Sequence, residues 1–165
     1  MKTEFKNSKK TVRLLTDKYA YFRENEISDP IEFVERVYDA LDTFYRRELK
    51  KKVVCKSGWS HCCYVPVTVT NVEVNYIAEK TGIRANPLIH NQLLHPNQSP
   101  TPCPFLSNDK CSIYEFRPAV CRIFATFDSA EFCAAGGHVS HQITTVFANP
   151  ASKIFYDLIE SASED

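Results

Sequence analysis

Seven cysteines lie between Cys55 and Cys133, and none falls in the 54 residues before them or the 32 after. That confinement constrains the fold more than any other feature of this 165-residue chain. Thiolates hold a metal only when several converge, so the segments carrying them must be brought together by the remainder of the chain. The flanking sequence has helical character. The predicted architecture is therefore mainly α: a single domain with a helical hairpin and a cysteine-rich irregular layer between helices. Its predicted parts are an N-terminal helical hairpin at 1–52, a cysteine-rich metal-binding region at 53–135, and a C-terminal loop and helix at 136–165.

What the thiols are for follows from compartment and count. The stretch Met1 to Lys10 has no apolar core of signal-peptide type, and no later window approaches membrane-spanning length. A cytoplasmic location is expected, where thiols stay reduced and disulfides are unusual. An odd number of cysteines also fits a closed disulfide framework poorly. Lys plus Arg equals Asp plus Glu at 20 each, so the charge balance points to no nucleic acid, and no membrane partner is expected. A protein partner is left open. The one basic cluster, Arg46, Arg47, Lys50, Lys51 and Lys52, reads as a solvated helix end whose cations complement the C-terminal dipole.

The frame is legible from capping and periodicity. Residues 10–26 and 29–52 read as two helices forming an antiparallel hairpin. Asp29 can cap the second, Pro30 suits its first position, and Glu32 would complete a capping box. Ile31, Val34, Val37, Tyr38, Leu41, Phe44, Tyr45 and Leu49 recur at helical spacing, and core packing is the default reading of that face. The segment Tyr64 to Thr70 reads as a brief strand or an extended loop. Thr70 with Glu73 forms another capping box, opening a helix that Gly82 ends. Asn86-Pro87 starts a further short helix, residues 96–104 form a proline-rich loop, and Asn149-Pro150 begins a last helix. Ser112 with Glu115 can cap one turn, and Pro118 can begin the turn that carries Cys121.

Cys55, Cys62, Cys63, Cys103, Cys111, Cys121 and Cys133 are the candidate metal ligands. One cysteine alone reads as a small buried hydrophobe, but seven within 79 residues favour ligation for the set. No Cys-x2-Cys knuckle occurs, so an ordinary zinc finger is disfavoured. Spaced thiolates gathered from several loops suit either zinc or an iron–sulfur cluster. Arg117 and Arg122 flank Cys121, where cations would offset thiolate charge; a salt bridge is an equal reading for Arg117. His61 precedes the adjacent pair, and His138 and His141 follow Cys133. Each is a possible imidazole ligand, although a satisfied surface or core role is the commoner fate of a single histidine.

At these residues the sequence resembles the YkgJ-type family, the zinc- or iron-chelating "CxxCxxCC" domain. The first likeness is Cys55-Lys-Ser-Gly-Trp-Ser-His-Cys62-Cys63 with the following Tyr64 to Glu73. The second is Cys103-Pro-Phe-Leu-Ser-Asn-Asp-Lys-Cys111-Ser-Ile-Tyr114-Glu-Phe-Arg117-Pro118-Ala-Val-Cys121-Arg122, with Cys133 as the trailing cysteine. The resemblance covers about residues 53–135 and implies a metal centre. It departs at Trp59, where members of this subtype usually have a further cysteine. Eight thiolates would fill two tetrahedral zinc sites or one cluster with spare thiols. With seven, a water, His61 or another ligand completes the set, or fewer metals are held.

The implied function is a cysteine-ligated metal-binding protein of structural or redox type. The family also embraces flagellin lysine N-methylases, which look like iron–sulfur proteins using S-adenosylmethionine, and that implies an alternative as a methylase-like enzyme. Whether the chain is an enzyme is left open. Its four glycines, Gly58, Gly82, Gly136 and Gly137, form no Gly-x-Gly-x-x-Gly loop. No nucleophile elbow, His-Glu-x-x-His helix or P-loop occurs either.

Overall fold

A computed structural model describes residues 13, 17, 20, 21, 29–56, 58–65, 67, 69–83 and 102–125. Among these the architecture is mainly α, as expected, with one small two-stranded sheet. The helix Pro30–Phe44 is α1, the first whose bounds are described. Asp29 caps it by accepting from the Ile31 N–H at 2.9 Å, and Pro30 supplies a first residue that has no N–H to leave orphaned. Glu32 does not complete a capping box. Its carboxylate pairs with Arg36 one turn later, at 2.5 Å from Nη2, because an exposed i,i+4 partner competes for it.

The expected helix through residue 52 changes character after Phe44. Tyr45–Leu49 forms a π-helical turn, and Lys50 N–H bonds back to the Tyr45 carbonyl at 2.9 Å. The wider turn keeps Leu49 fully buried while the basic side chains of Arg46, Arg47, Lys50, Lys51 and Lys52 stay exposed. The buried stripe of α1 is Val34, Val37, Tyr38, Leu41 and Phe44. It meets Val72, Tyr76 and Ile77 of the second helix, α2 (Asn71–Thr81), and Ala119 and Ile123 of the third, α3 (Ala119–Ile123). Tyr38 and Tyr76 meet edge to face with ring centroids 5.2 Å apart.

Helix α2 begins as its sequence requires. Thr70 and Glu73 form the reciprocal capping box, with the Thr70 N–H and hydroxyl 3.1 and 3.0 Å from Glu73 Oε2. Gly82 ends the helix in the left-handed region, at φ +72, where a residue without a Cβ is not penalised. Thr70→Ala should lower stability by about 1 kcal/mol, read as a lower urea midpoint at unchanged slope. An unshifted midpoint would show that the cap contributes nothing.

A β-hairpin inside the cysteine region was not expected from the sequence. Strands β1 (Leu106–Ser107) and β2 (Lys110–Cys111) pair antiparallel, with Leu106 opposite Cys111. Asn108 and Asp109 turn the chain with φ of 48 and 57. Positive φ at both central residues is the type I′ turn that matches strand twist, and Asn and Asp tolerate it best among residues with a side chain. Single 3-10 turns at His61–Tyr64 and Tyr114–Phe116 complete the layer. Ser112 caps no turn, because its hydroxyl donates to the Phe105 carbonyl across the hairpin at 3.0 Å.

Of the expected helix at 10–26, only Arg13, Asp17, Ala20 and Tyr21 are described, all helical, with Arg13 and Asp17 3.9 Å apart. Its pairing with α1, the short helix after Pro87 and the helix after Pro150 lie outside the described residues. No described helix is long and apolar enough to cross a membrane.

Candidate metal centre

Three segments bring six of the seven candidate cysteines into one layer. Cys62 and Cys63 sit on the 3-10 turn His61–Tyr64, with Cys55 in the chain leading to it. Cys103 precedes the hairpin, Cys111 is in its second strand, and Cys121 is the third residue of α3. Backbone bonds lock the segments together. The Cys103 N–H donates to the Cys63 carbonyl at 2.7 Å, joining positions 40 residues apart, and Leu106 N–H bonds the Cys103 carbonyl at 2.9 Å. The Ser60 hydroxyl reaches Asp109 of the hairpin turn at 3.5 Å.

The thiols feel one another. Burial first, and then the fields of Cys62, Cys103 and Cys111, push the Cys63 thiol up to about 12. Burial also raises Cys62, although its sulfur accepts a hydrogen bond from Cys63 that works the other way. Burial, and then Cys62, Cys103, Cys111 and Cys63, push Cys121 up to about 12. Burial raises Cys111 as well, opposed by a hydrogen bond from the Ile113 backbone and by the Arg117 charge. Five thiols thus lie within range of one another's fields, and Cys55 acts on Cys62.

No disulfide joins the six described cysteines. Among the described residues, no three Cys, His, Asp or Glu side chains close into a ready-made metal shell. The two facts are compatible. Protonated sulfurs gain nothing by converging, and the free energy that closes such a shell comes with the metal. The donors themselves suit a thiophilic ion: several soft sulfurs, partly shielded, on segments already held in register.

The two arginines separate in role. The Arg117 guanidinium lies 3.9 Å above the exposed Tyr114 ring, bonds the Cys121 carbonyl at 3.4 Å and acts on the Cys111 sulfur. Arg122 points into the frame instead. It is 4% exposed, its Nη1 is 2.6 Å from Asp42 Oδ2 and its Nε is 2.9 Å from the Arg117 carbonyl. Its Nη2 bonds the Glu115 carbonyl, and the guanidinium stacks 4.1 Å from the Tyr38 ring centroid. Helix periodicity turns residue 122 inward where 121 faces out, so adjacency in sequence did not bring this cation to the sulfur.

Trp59 is 39% exposed, with the Lys56 ammonium 5.7 Å from its ring centroid. His61 is half-buried on the first residue of its turn. Cys133, His138 and His141 lie outside the described residues. Tyr45 was assigned to the apolar face; it is half-buried and senses Cys55, Tyr114 and Arg117, though burial is the main cause of its raised phenol. Asp42, which receives Arg122 and lies 3.9 Å from Arg117, carried no signal in the sequence beyond its charge.

A helical frame presenting clustered thiols from separate loops defines a cysteine-rich chelating domain. Residues 54–140 match the CxxCxxCC family, described as a putative zinc- or iron-chelating domain, and the chain belongs to that family. Metal binding is the role which that membership supports; its description names chelation and not methyl transfer. No curated protein and no solved structure matches the chain significantly.

Proposed function

We propose that the chain holds zinc or an iron–sulfur cluster through Cys55, Cys62, Cys63, Cys103, Cys111 and Cys121, with Cys133 completing the ligand set, for a structural or redox purpose. The observation that carries this reading is that the Cys103 N–H is tied to the Cys63 carbonyl, which holds two cysteine segments side by side with thiols that fall within range of one another's fields and of Cys121. Apolar packing does not require sulfurs to crowd together, whereas a shared cation does. A bound metal supplies the positive charge that replaces the thiol protons and fixes the loops to one another.

The chain's own groups support that exchange. Cys63 and Cys103 are preset by their backbone bond, so closing the site there costs little further loop entropy. The Ile113 N–H and the Arg117 guanidinium stabilise charge on Cys111. Trp59, exposed beneath Lys56, leaves the place of an eighth thiolate to a solvent molecule, to His61 or to no ligand.

Metal analysis and a visible spectrum of the full chain, purified without oxygen, test the proposal. Stoichiometric zinc in colourless protein indicates tetrahedral thiolate sites. Iron with inorganic sulfide and broad visible absorption indicates a cluster. Folded protein that contains neither metal as purified and takes up neither zinc nor iron when they are supplied would overturn the reading.

A further inference from the structure

Glu73 is 1% exposed, yet it is an acid in the middle of the core. Its two oxygens receive four donors. Oε2 takes the Thr70 N–H and hydroxyl, closing the cap of α2. Oε1 takes the Tyr38 hydroxyl of α1 and the Ala119 N–H at the start of α3, both at 2.8 Å. Tyr38 is held protonated for this purpose, since burial and then the neighbouring Glu73 raise its phenol. One carboxylate therefore ties α1, α2 and α3 together, and one of its bonds ends two residues before Cys121.

We infer that Glu73 is a positioning residue for the metal centre: it sets the start of α3 against the frame and so aims Cys121 at the other thiols. This rests on the proposed metal-binding reading. A capping role alone would need only Oε2, and helix α2 would keep it without the Ala119 bond. The second oxygen is what links the cap to the cysteine layer. Substitution by glutamine preserves shape but not function. Every partner except the two hydroxyls is an N–H, so a Gln Nε2 must face an N–H at Thr70 or at Ala119.

The test follows each thiol separately. The reduced full chain is loaded with Zn2+, which a thiolate set suited to a cluster also binds. Alkylation of each cysteine by iodoacetamide is then timed by peptide mass spectrometry. In the wild-type chain Zn2+ should protect Cys63, Cys103, Cys111 and Cys121 together. In Glu73→Gln, Cys121 should be alkylated roughly tenfold faster while Cys63 and Cys103 stay protected. Thr70→Ala, which weakens the cap alone, should leave Cys121 protected.

Protection lost equally at all four thiols of E73Q would mean general destabilisation and overturn the inference, as would Cys121 protected as in the wild type. Absence of Zn2+ protection in the wild-type chain would instead sink the metal reading beneath it. Should E73Q not fold, Glu73→Asp keeps the charge but is too short to serve Thr70 and Ala119 together. Its Cys121 is then judged by the same selective tenfold criterion.

Discussion

Cys111→Ala and Cys121→Ala will each lose metal and stability together, while the metal-free forms stay close to metal-free wild type. The asymmetry is the informative part. Cys121 reaches the surface and Cys111 is only partly buried against the core, so neither methylene-and-sulfur unit is worth much as packing. A metal held at about 1,000 times its dissociation constant contributes roughly 4 kcal/mol to the folded state. Loss of that linkage should lower the thermal midpoint of metal-loaded protein and spare the apo protein. Equal midpoints for loaded wild type and both variants would show that these thiols are not ligands. Metal uptake should also release protons, because Cys63 and Cys121 lie near 12 in the metal-free chain and start protonated at neutral pH. Affinity must then weaken as the pH falls.

Arg122→Ala is expected to be the most damaging change outside the cysteines. Among the described residues it leaves the Asp42 carboxylate with Arg117 at 3.9 Å as its one cation, strips the Arg117 and Glu115 carbonyls of a donor, and uncovers Tyr38. Because Asp42 is partly exposed and keeps Arg117 nearby, the loss is that of charge-assisted hydrogen bonds, about 1.5–3 kcal/mol, which urea unfolding would report directly. Arg122→Lys should recover little, because an ammonium cannot reach three acceptors in different directions or stack on the ring. A lysine variant as stable as wild type would reduce the network to a single ion pair.

The helical frame was legible because its signals are local. Asp29-Pro30, Thr70 with Glu73, and Gly82 each act within a few residues, and the apolar spacing along α1 repeats at the helix period. The boundaries that failed were decided by competition. Arg36 drew Glu32 from the cap, and burial of Leu49 was reached through a wider turn. The hairpin was missed because Asn108-Asp109 lacks the glycine that usually marks such a turn.

In the candidate site, the grouping of thiols was readable from their number and spacing. Their partners were not. Whether Arg117 or Arg122 meets a sulfur depends on which way α3 is rotated, and that is settled by Glu73 and Asp42, 46 and 80 residues away along the chain. Long-range choices of this kind leave no periodic trace.

The backbone hydrogen bond from Cys103 to Cys63 joins parts of the chain that are made at different times. Synthesis proceeds at about 5–20 residues per second, so roughly 2–8 s pass between the emergence of these two cysteines. During that interval Cys55, Cys62 and Cys63 are outside the ribosome without the strand or helix that later faces them. The hairpin itself can close within microseconds once made, and α3 docks only when Ala119 has arrived to meet Glu73. Metal capture by the full thiol set is therefore a late event in the life of a nascent chain, and the early thiols must be kept reduced until then.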